Sequence, residues 1–288
     1  MPSFPRHLLG SILRLYAHLP LGLAHRLGTL LGWMMYGMSP TYRSNLRANL
    51  ERAGYGDARV RRAAIAHAGQ LLAETPVMWL RPQERVAALV KEVRGMTEVD
   101  AARAAGKALL FLTPHMGCFE LTAHYAAQRM PITVLYRPPK LGWLDPLMRE
   151  GRGRGGVRLA PADARGVREV IAALKRGEAV GFLPDQVPGE GEGEWAEFFG
   201  ELAYTATLAP RLVQRAGVAC FLVYAERLPR GAGYRMVLKP LPAAAQGETP
   251  VRRLNRALED LVRECPGQYL WGYNRYKTPR GAKPKPPA

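Results

Sequence analysis

The chain has 288 residues, enough to bury a substantial core in one large domain or in one domain with a terminal appendage. Its 41 Lys and Arg residues outnumber 24 Asp and Glu residues, and the net charge of +17 predicts a polyanionic partner: nucleic acid, an anionic membrane surface or an acidic protein. The three cysteines are too few and too scattered for a disulfide scaffold or a CxxC zinc site, which favours a reducing cytosolic setting.

Residues 1–40 form the first predicted unit, an apolar segment that charged residues interrupt. Between His7 and Met38 the chain is rich in Leu, Gly, Met and aromatic residues. Its cleanest apolar run, residues 27–38, has about twelve residues, whereas a helix that spans a membrane needs about 20. We therefore predict an amphipathic helical segment that lies in the membrane interface. The alternative is an ordinary pair of amphipathic helices packed on the domain.

Residues 41–278 form the second predicted unit, which is helical up to Leu89 and mixed from Val90 onwards. The predicted strands are 109–112, 132–136, 157–159, 179–183, 218–225 and 234–238. The predicted helices are 99–105, 117–129, 143–150, 164–176, 205–216 and 249–264. This alternation predicts an α/β fold with a mostly parallel central sheet flanked by helices. The short link between the last two strands predicts an antiparallel pair, and the basic, Pro-rich residues 279–288 are predicted to be disordered.

The run Thr-Pro-His115-Met-Gly-Cys-Phe-Glu120 follows the predicted strand 109–112. Histidine moves protons near neutral pH, and a carboxylate that reaches its other ring nitrogen fixes its tautomer. Since residues five apart point about 140° apart in one helix, we place His115 on the turn and Glu120 in the first turns of the helix 117–129. The run predicts a general base with its orienting carboxylate at the carboxyl end of a strand. The plainer interpretation is an unrelated pair of surface or core residues.

Two arginine segments are candidates for binding an anion. Arg137 stands at the end of the predicted strand 132–136, and residues 149–156 place three arginines among glycines. Guanidinium groups bind phosphate or carboxylate through paired hydrogen bonds, and glycines let backbone amides approach a ligand. Residues 149–156 are equally consistent with a solvated basic loop.

Two later segments are also candidates. Asp185 follows the predicted strand 179–183 and is expected to face the same crevice as His115, although such a residue is more often a turn cap. The aromatic and basic run 271–277 is able to stack on bases, line a lipid headgroup site or cover the core.

Signatures of other function classes are missing from the sequence. There is no GxxxxGK[ST] loop, no GxGxxG after a strand and no HExxH motif, and the six histidines show no metal spacing. His115 and Glu120 lack an evident third ligand for a metal. Cys118 is a candidate nucleophile, but its apolar neighbours favour a small buried residue. We therefore expect no metal and no cofactor.

Taken in order, these segments resemble the bacterial lipid A biosynthesis acyltransferases, the late lauroyl and myristoyl transferases related to the wider glycerolipid acyltransferases. The resemblance runs from about residue 5 to about residue 280 and depends on the order and spacing of the motifs. The motifs are Thr-Pro-His115-x4-Glu120, Tyr136-Arg137-Pro138, the Arg/Gly loop, Leu183-Pro184-Asp185-Gln186, Phe198-Phe199-Gly200 and the terminal run that ends at Lys277.

The resemblance implies the transfer of a fatty acyl chain from an acyl carrier protein thioester to the hydroxyl of a 3-hydroxyacyl chain on a lipid A precursor. By this resemblance His115 and Glu120 are catalytic, with Glu120 orienting His115. Arg137, Arg152 and Asp185 bind substrate. Arg152 lies near phosphate or the developing negative oxygen, and Arg149 and Arg154 are its rivals.

The resemblance also implies partners and a location. The partners are acyl carrier protein, an anionic membrane surface and a lipid A precursor, with the thioester donor in place of a cofactor and no nucleic acid. The location is the cytoplasmic face of the bacterial inner membrane, in a peripheral or monotopic mode. Three alternatives stay open: an acyltransferase for a lysophospholipid or aminolipid, a basic nucleic-acid-binding protein, and a non-catalytic peripheral membrane protein.

Overall fold

A computed structural model describes residues 6–139, 141–282 and 284–286 of the chain. Its main sheet has seven strands, and a two-stranded hairpin stands apart from it. The strands are β1 (Val90–Arg94), β2 (Ala108–Leu112), β3 (Ile132–Tyr136), β4 (Val157–Pro161), β5 (Ala179–Phe182), β6 (Gly193–Phe198), β7 (Glu201–Ala206), β8 (Val218–Arg227) and β9 (Tyr234–Pro240). The helices are α1 (Arg6–Ala17), α2 (Leu21–Met38), α3 (Pro40–Arg52), α4 (Ala58–Leu80), α5 (Gln83–Ala87), α6 (Met96–Ala104), α7 (Phe119–Ala127), α8 (Asp145–Arg152), α9 (Ala164–Lys175), α10 (Leu208–Val213) and α11 (Pro250–Glu264).

The strand order in the main sheet is β1-β9-β8-β2-β5-β3-β4. Strands β8, β2, β5, β3 and β4 are parallel, and β9 runs antiparallel to β8. The predicted α/β fold, with its mostly parallel sheet and antiparallel final pair, is therefore confirmed. Because β2 and β5 are parallel neighbours, with Leu112 opposite Phe182, the residues that follow both strands emerge at the same edge of the sheet.

Helices cover both faces of the sheet. Strand β2 is buried along its whole length, and its side chains alternate between the two faces as the strand period of two requires. Leu110 and Leu112 join the core cluster beside α9, α10 and α11, whereas Leu109 and Phe111 join the cluster beside α6 and α7. A fully apolar strand of this kind belongs at the centre of a parallel sheet.

Two parts of the sheet structure differ from the predicted elements. The edge strand β1 was not predicted, since its Val-Lys-Glu-Val-Arg sequence carries charges on its open side. The β6–β7 hairpin was also missed, and because β7 includes Thr205 and Ala206, the predicted helix 205–216 begins only at Leu208. The hairpin turns at Phe199 and Gly200, whose φ values are 48° and 78°, the positive pair that a tight two-residue turn needs.

Helix α2 packs against α4 through glycines. A Cβ built on Gly69 would lie 2.0 Å from the Gly28 carbonyl oxygen, and Gly32 is equally close to α4. The opposite side of the N-terminal helices leaves large apolar side chains exposed: Ile12, Leu15, Leu23, Leu27, Leu30, Leu31, Trp33, Met34 and Met38. Across the described ranges, no helix is both long enough and apolar enough to cross a membrane. Binding of this segment to a membrane interface stays a prediction.

The proposed domain limits at residues 40 and 278, and the disorder of residues 279–288, also stay predictions. Residues 1–5, at the start of the predicted N-terminal unit, lie outside the described residues, as do Lys140, Lys283 and residues 287–288. The described part of the tail has no helix or strand.

Candidate active site

His115 lies just past the carboxyl end of β2, where Asp185 from the loop after β5 meets it. The ring Nδ1 of His115 is 2.8 Å from Asp185 Oδ1, and the His115 backbone N–H donates to Asp185 Oδ2 at 2.8 Å. A carboxylate only accepts hydrogen bonds, so Nδ1 carries the proton and Nε2 keeps its lone pair. Asp185 therefore fixes the tautomer that a general base requires.

Asp185 itself is 2% exposed. Burial alone would raise the pKa of its carboxyl, but the electrostatic interaction and the hydrogen bonds with His115 outweigh burial and hold that pKa below its ordinary value. Asp185 meets His115, but the expectation that it faces the same crevice is not met, because it lies behind the imidazole and does not line the cavity. Its predicted substrate-binding role is not what the geometry offers, because both of its oxygens accept from His115.

Glu120 lies in the first turn of α7, as predicted, but its hydrogen bonds go to Arg152 and Trp79. Arg152 Nε donates to both carboxylate oxygens at 2.9 and 3.1 Å, its Nη2 donates to Oε1, and Trp79 Nε1 donates to Oε2 at 3.0 Å. Burial would raise the pKa of Glu120, yet the Arg152 charge and these donors lower it overall. Glu120 is thus a buried carboxylate that holds Arg152.

The prediction that Glu120 orients His115 is therefore wrong, because Asp185 takes that position. The chain turns sharply between His115 and Glu120 at Gly117, whose φ is 57° and whose added Cβ would lie 2.0 Å from the Ala225 carbonyl oxygen. The neighbouring parallel strand delivers Asp185 directly against the two N–H groups of His115. His115 and Glu120 nevertheless line the same cavity.

Half of the Arg/Gly segment 149–156 is the end of α8 and not a loop. Arg149 and Arg152 belong to α8, and Gly151 lets that helix approach Trp79, since an added Cβ would lie 2.4 Å from the indole Cγ. Arg149 pairs with Asp145. Arg154, the other rival, donates to the Met78 carbonyl at 2.9 Å. Among the three arginines, Arg152 alone lines the cavity.

The cavity beside these residues has a volume of about 830 Å³, within the usual range for ligand sites. Arg137, as expected, lines it and is exposed. Much of the remaining lining is apolar and comes from the sheet, from the start of α6 and from the link between α7 and β3: Met96, Phe111, Met130, Ile132, Val223, Met236 and Leu238. Such a lining suits an aliphatic chain.

Three lining or supporting residues had no predicted role. The Gln186 Nε2 lies 3.1 Å from His115 Nε2, next to Asp185 in the sequence. His124, one helical turn after Glu120, lines the cavity, and burial lowers its pKa to about 4. Trp79 lies in the long helix α4, with no local pattern to connect it to Glu120.

The other candidates are structural. Cys118 is fully buried, and burial raises the pKa of its thiol well above the ordinary value, so it is a poor nucleophile. The run 271–277 covers the core, with Trp271 and Arg275 buried and Arg275 donating to the Tyr204 carbonyl. In the described part of the chain, no cluster of three or more His, Cys, Asp or Glu residues is arranged to hold a metal ion.

Comparison with known proteins identifies the family of this chain. The family model described as bacterial lipid A biosynthesis acyltransferase matches residues 5–278. The chain is 27% identical over 277 residues to the lipid A biosynthesis lauroyltransferase of Escherichia coli (strain K12), covering 93% of this chain and 90% of that protein. It is 28% identical over 276 residues to the palmitoleoyltransferase of the same strain, covering 93% and 89%. For the myristoyltransferase the identity is 26% over 231 residues, covering 77% and 69%. The chain belongs to the bacterial lipid A biosynthesis acyltransferase family.

Proposed function

We propose that the protein transfers a fatty acyl chain from acyl carrier protein to the hydroxyl of a 3-hydroxyacyl chain on a lipid A precursor, with His115 as the general base. One observation carries the proposal: the imidazole whose Nδ1 is held by buried Asp185 lines a large, mostly apolar cavity. Family membership supplies the reaction class, because its relatives are named as lipid A acyltransferases.

The step begins when Nε2 of His115 takes the proton of the acceptor hydroxyl. The oxygen attacks the thioester carbonyl carbon, and a tetrahedral oxyanion forms. The C–S bond then breaks, and the imidazolium gives the proton to the leaving thiolate. Asp185 stabilises that imidazolium without accepting its proton. Atoms and charges balance with no acyl-enzyme, so we expect no metal and no cofactor beyond the thioester donor.

Gln186 is the candidate donor for the oxyanion. In the neutral imidazole Nε2 is an acceptor, so the Gln186 amide N–H donates to it across 3.1 Å. The acceptor hydroxyl has to displace this amide to reach Nε2. The freed N–H then lies beside the reacting carbon, where a donor has its largest effect on the developing negative charge.

Glu120 and Arg152 form the charged wall of the same site. Their hydrogen-bonded pair keeps the guanidinium at the cavity, close to where phosphate or the oxyanion would be bound. Glu120 therefore supports the site through Arg152 and not through His115. Arg137 is exposed at the cavity and is suited to a phosphate.

Charge and exposed apolar surface support the proposed partners and location. The net charge of +17 suits both acidic acyl carrier protein and an anionic bilayer. The exposed apolar side chains of α1 and α2 suit the bilayer interface. We place the protein at the cytoplasmic face of the bacterial inner membrane, in a peripheral or monotopic mode.

A donor and acceptor survey with purified protein tests the proposal. Lauroyl, myristoyl and palmitoleoyl thioesters of acyl carrier protein and of coenzyme A are each offered with a lipid A precursor or a lysophospholipid. We expect transfer to the lipid A precursor, with the carrier protein preferred by more than about tenfold because its acidic surface meets a basic enzyme. Acylation of the lysophospholipid alone contradicts the proposed acceptor, and a preference for coenzyme A contradicts the proposed donor.

The purified protein also tests the alternative that it is a basic nucleic-acid-binding protein. Binding to DNA and to anionic vesicles is measured at physiological salt. We expect the vesicles to be preferred, and a preference for DNA would favour the alternative.

A further inference from the structure

A buried ionic cluster contacts residues 113–118, the loop that carries His115 and that we call the catalytic loop. The members of the cluster do not line the cavity. Glu74 of α4 is 0% exposed and accepts from Arg227 Nε at 3.0 and 2.9 Å and from Nη2 at 2.6 Å. The Tyr234 hydroxyl donates to it at 2.7 Å, and His25 Nε2 lies 3.0 Å away. These four side chains come from α2, α4, β8 and β9, and we call them the Glu74 cluster.

The Glu74 cluster is charged in the folded protein. Burial alone would raise the pKa of Glu74, but the charge of Arg227 and the donors around the carboxylate bring it down to about 2. Desolvating two charges is expensive, and a well-packed apolar pair is often as stable or more stable. Fold stability alone is therefore a weak reason for an ion pair at this place.

Arg227 connects the cluster to the catalytic loop. Its Nη2 also donates to the Gly117 carbonyl oxygen at 2.8 Å. The Gly117 N–H donates to the Gln268 carbonyl at 3.0 Å, and the Gln268 side chain bonds the Arg227 backbone N–H and carbonyl at 2.8 and 3.0 Å. Arg227, Gly117 and Gln268 thus form a closed ring of hydrogen bonds.

Gly117 is the point where the chain turns between His115 and Glu120. The loop has further backbone anchors, in which the Cys118 N–H donates to the Ala225 carbonyl at 2.8 Å and the Leu270 N–H donates to the His115 carbonyl at 3.0 Å. Two charged side chains bond the backbone of this loop: Asp185 accepts from the His115 N–H, and Arg227 donates to the Gly117 carbonyl. Moving that guanidinium moves the Gly117 carbonyl and, with it, the spacing between the imidazole and the Glu120–Arg152 pair.

We propose that Glu74 and Arg227 are positioning residues that hold the Gly117 carbonyl and so set the geometry of His115, and that His25 ties this geometry to the seating of α2. The expected effect on kcat rests on the proposed function, whereas the expected effect on the position of His115 does not. The exposed apolar side of α2 lies on the same helix as His25. A change in how α2 is held is thereby transmitted to the active site through one carboxylate.

The test compares Arg227→Lys with a matched buried control, Asn255→Ala. Lysine keeps the charge but is unable to bridge Glu74 and Gly117 with a planar fork. Asn255 is 0% exposed, against 4% for Arg227, and its amide donates to the carbonyl of Glu197 in β6 at 2.8 Å. The first readout is the NMR signal of the His115 Nδ1 proton. It should shift in Arg227→Lys and stay in place in Asn255→Ala.

The second readout is kinetic. We expect kcat for acyl transfer to fall about 10- to 100-fold in Arg227→Lys with KM within about twofold, since small misplacements of catalytic groups cost this much. His25→Leu should give a smaller kcat loss, of about two- to fivefold. Asn255→Ala should lose thermal stability with kcat within about twofold.

Each outcome decides the inference. An unmoved Nδ1 signal in folded Arg227→Lys overturns it, as does an equal shift in the control. Should Arg227→Lys not fold, Tyr234→Phe removes one hydrogen bond from Glu74 and must shift the same signal. If the wild type shows no acyl transfer, the proposed function fails, and the NMR comparison still decides the positioning role.

Discussion

Replacing Asp185 with asparagine is expected to lower kcat for acyl transfer by about 10²- to 10⁴-fold while the protein stays folded. The range is that of general acid–base catalysis and of the comparable substitution in serine proteases. The reason is that Asp185 accepts two hydrogen bonds from His115, one from the ring Nδ1 and one from the backbone N–H.

Asparagine preserves the shape of this contact but reverses one of its hydrogen bonds. The backbone N–H of His115 is only able to donate, so the carboxamide oxygen has to face it. The NH₂ group then faces Nδ1, which must accept, and the ring proton moves to Nε2. The lone pair that takes the hydroxyl proton is lost from the cavity side.

The control is Asp57→Asn at the N-cap of α4, outside the cavity lining, where Asp57 accepts from the Arg59 backbone N–H at 2.9 Å. Asparagine caps helices as well as aspartate does, so neither kcat nor stability should change much. The folded-state pKa of Asp185 lies below its ordinary value. Its stabilising contribution is therefore present above about pH 4 and lost below it, and Asp185→Asn should lack that acid-side loss. Wild-type kcat in the variant would remove Asp185 from the mechanism.

Arg152→Met is expected to destabilise the protein by about 2–4 kcal/mol at neutral pH and to reduce transfer strongly. Breaking a buried pair by removing one partner leaves an uncompensated charge, which costs about 3–5 kcal/mol. The Arg152 side chain keeps 25% of its surface exposed, against 5% for Glu120, and this exposure argues for the lower part of the range. Chemical denaturation at several pH values measures the effect.

The pH dependence has a definite sign. In the wild type, the pKa of Glu120 is lowered, so its pairing stabilises the fold above the unfolded pKa and is lost as the pH falls. Without Arg152, burial raises that pKa, so Glu120 is protonated more readily. The stability gap between wild type and Arg152→Met should therefore shrink on acidification.

Two further variants make this prediction sharp. Arg149→Met removes another arginine from α8, but its pair with Asp145 is exposed to solvent, so a much smaller loss is expected. The double variant Glu120→Gln with Arg152→Met should be more stable than Arg152→Met alone, because the unpaired charge is gone. A loss of stability in Arg152→Met that does not depend on pH would contradict the buried pair. Equal losses of stability in Arg149→Met and Arg152→Met would also contradict it.

The location of the candidate active site was predictable because strand ends are visible in sequence. A short apolar run followed by a polar turn located both His115 and Asp185 at the sheet edge. What the sequence did not reveal was that β2 and β5 are neighbours, although two other strands in the chain order separate them. Without that adjacency, Glu120, only five residues away, was the nearer candidate for the imidazole.

Other errors have similar physical origins. The Arg/Gly segment has the composition of an anion-binding loop, but Gly151 is there to fit against the Trp79 ring. That contact joins residues 72 positions apart, and no local pattern reports it. The turn of the β6–β7 hairpin contains Phe199 in a left-handed conformation, which turn rules assign to Gly, Asn or Asp.

We expect the length of the transferred acyl chain to depend on the shape of the cavity and not on the motifs. The relatives reported above are named as lauroyl-, palmitoleoyl- and myristoyltransferases, and they are 26% to 28% identical to this chain. Membership of this family therefore does not by itself identify the acyl donor. The cavity of about 830 Å³ is the feature whose lining would have to change.

Mass spectrometry of lipid A tests the account most directly. Extracts are compared from cells that lack the protein, cells that express it and cells that express His115→Ala at the same level. We predict one additional acyl group on lipid A with the wild type and none with His115→Ala. The mass of the added group also identifies the acyl chain. A His115→Ala extract with the wild-type product would contradict the central claim that this imidazole activates the acceptor hydroxyl.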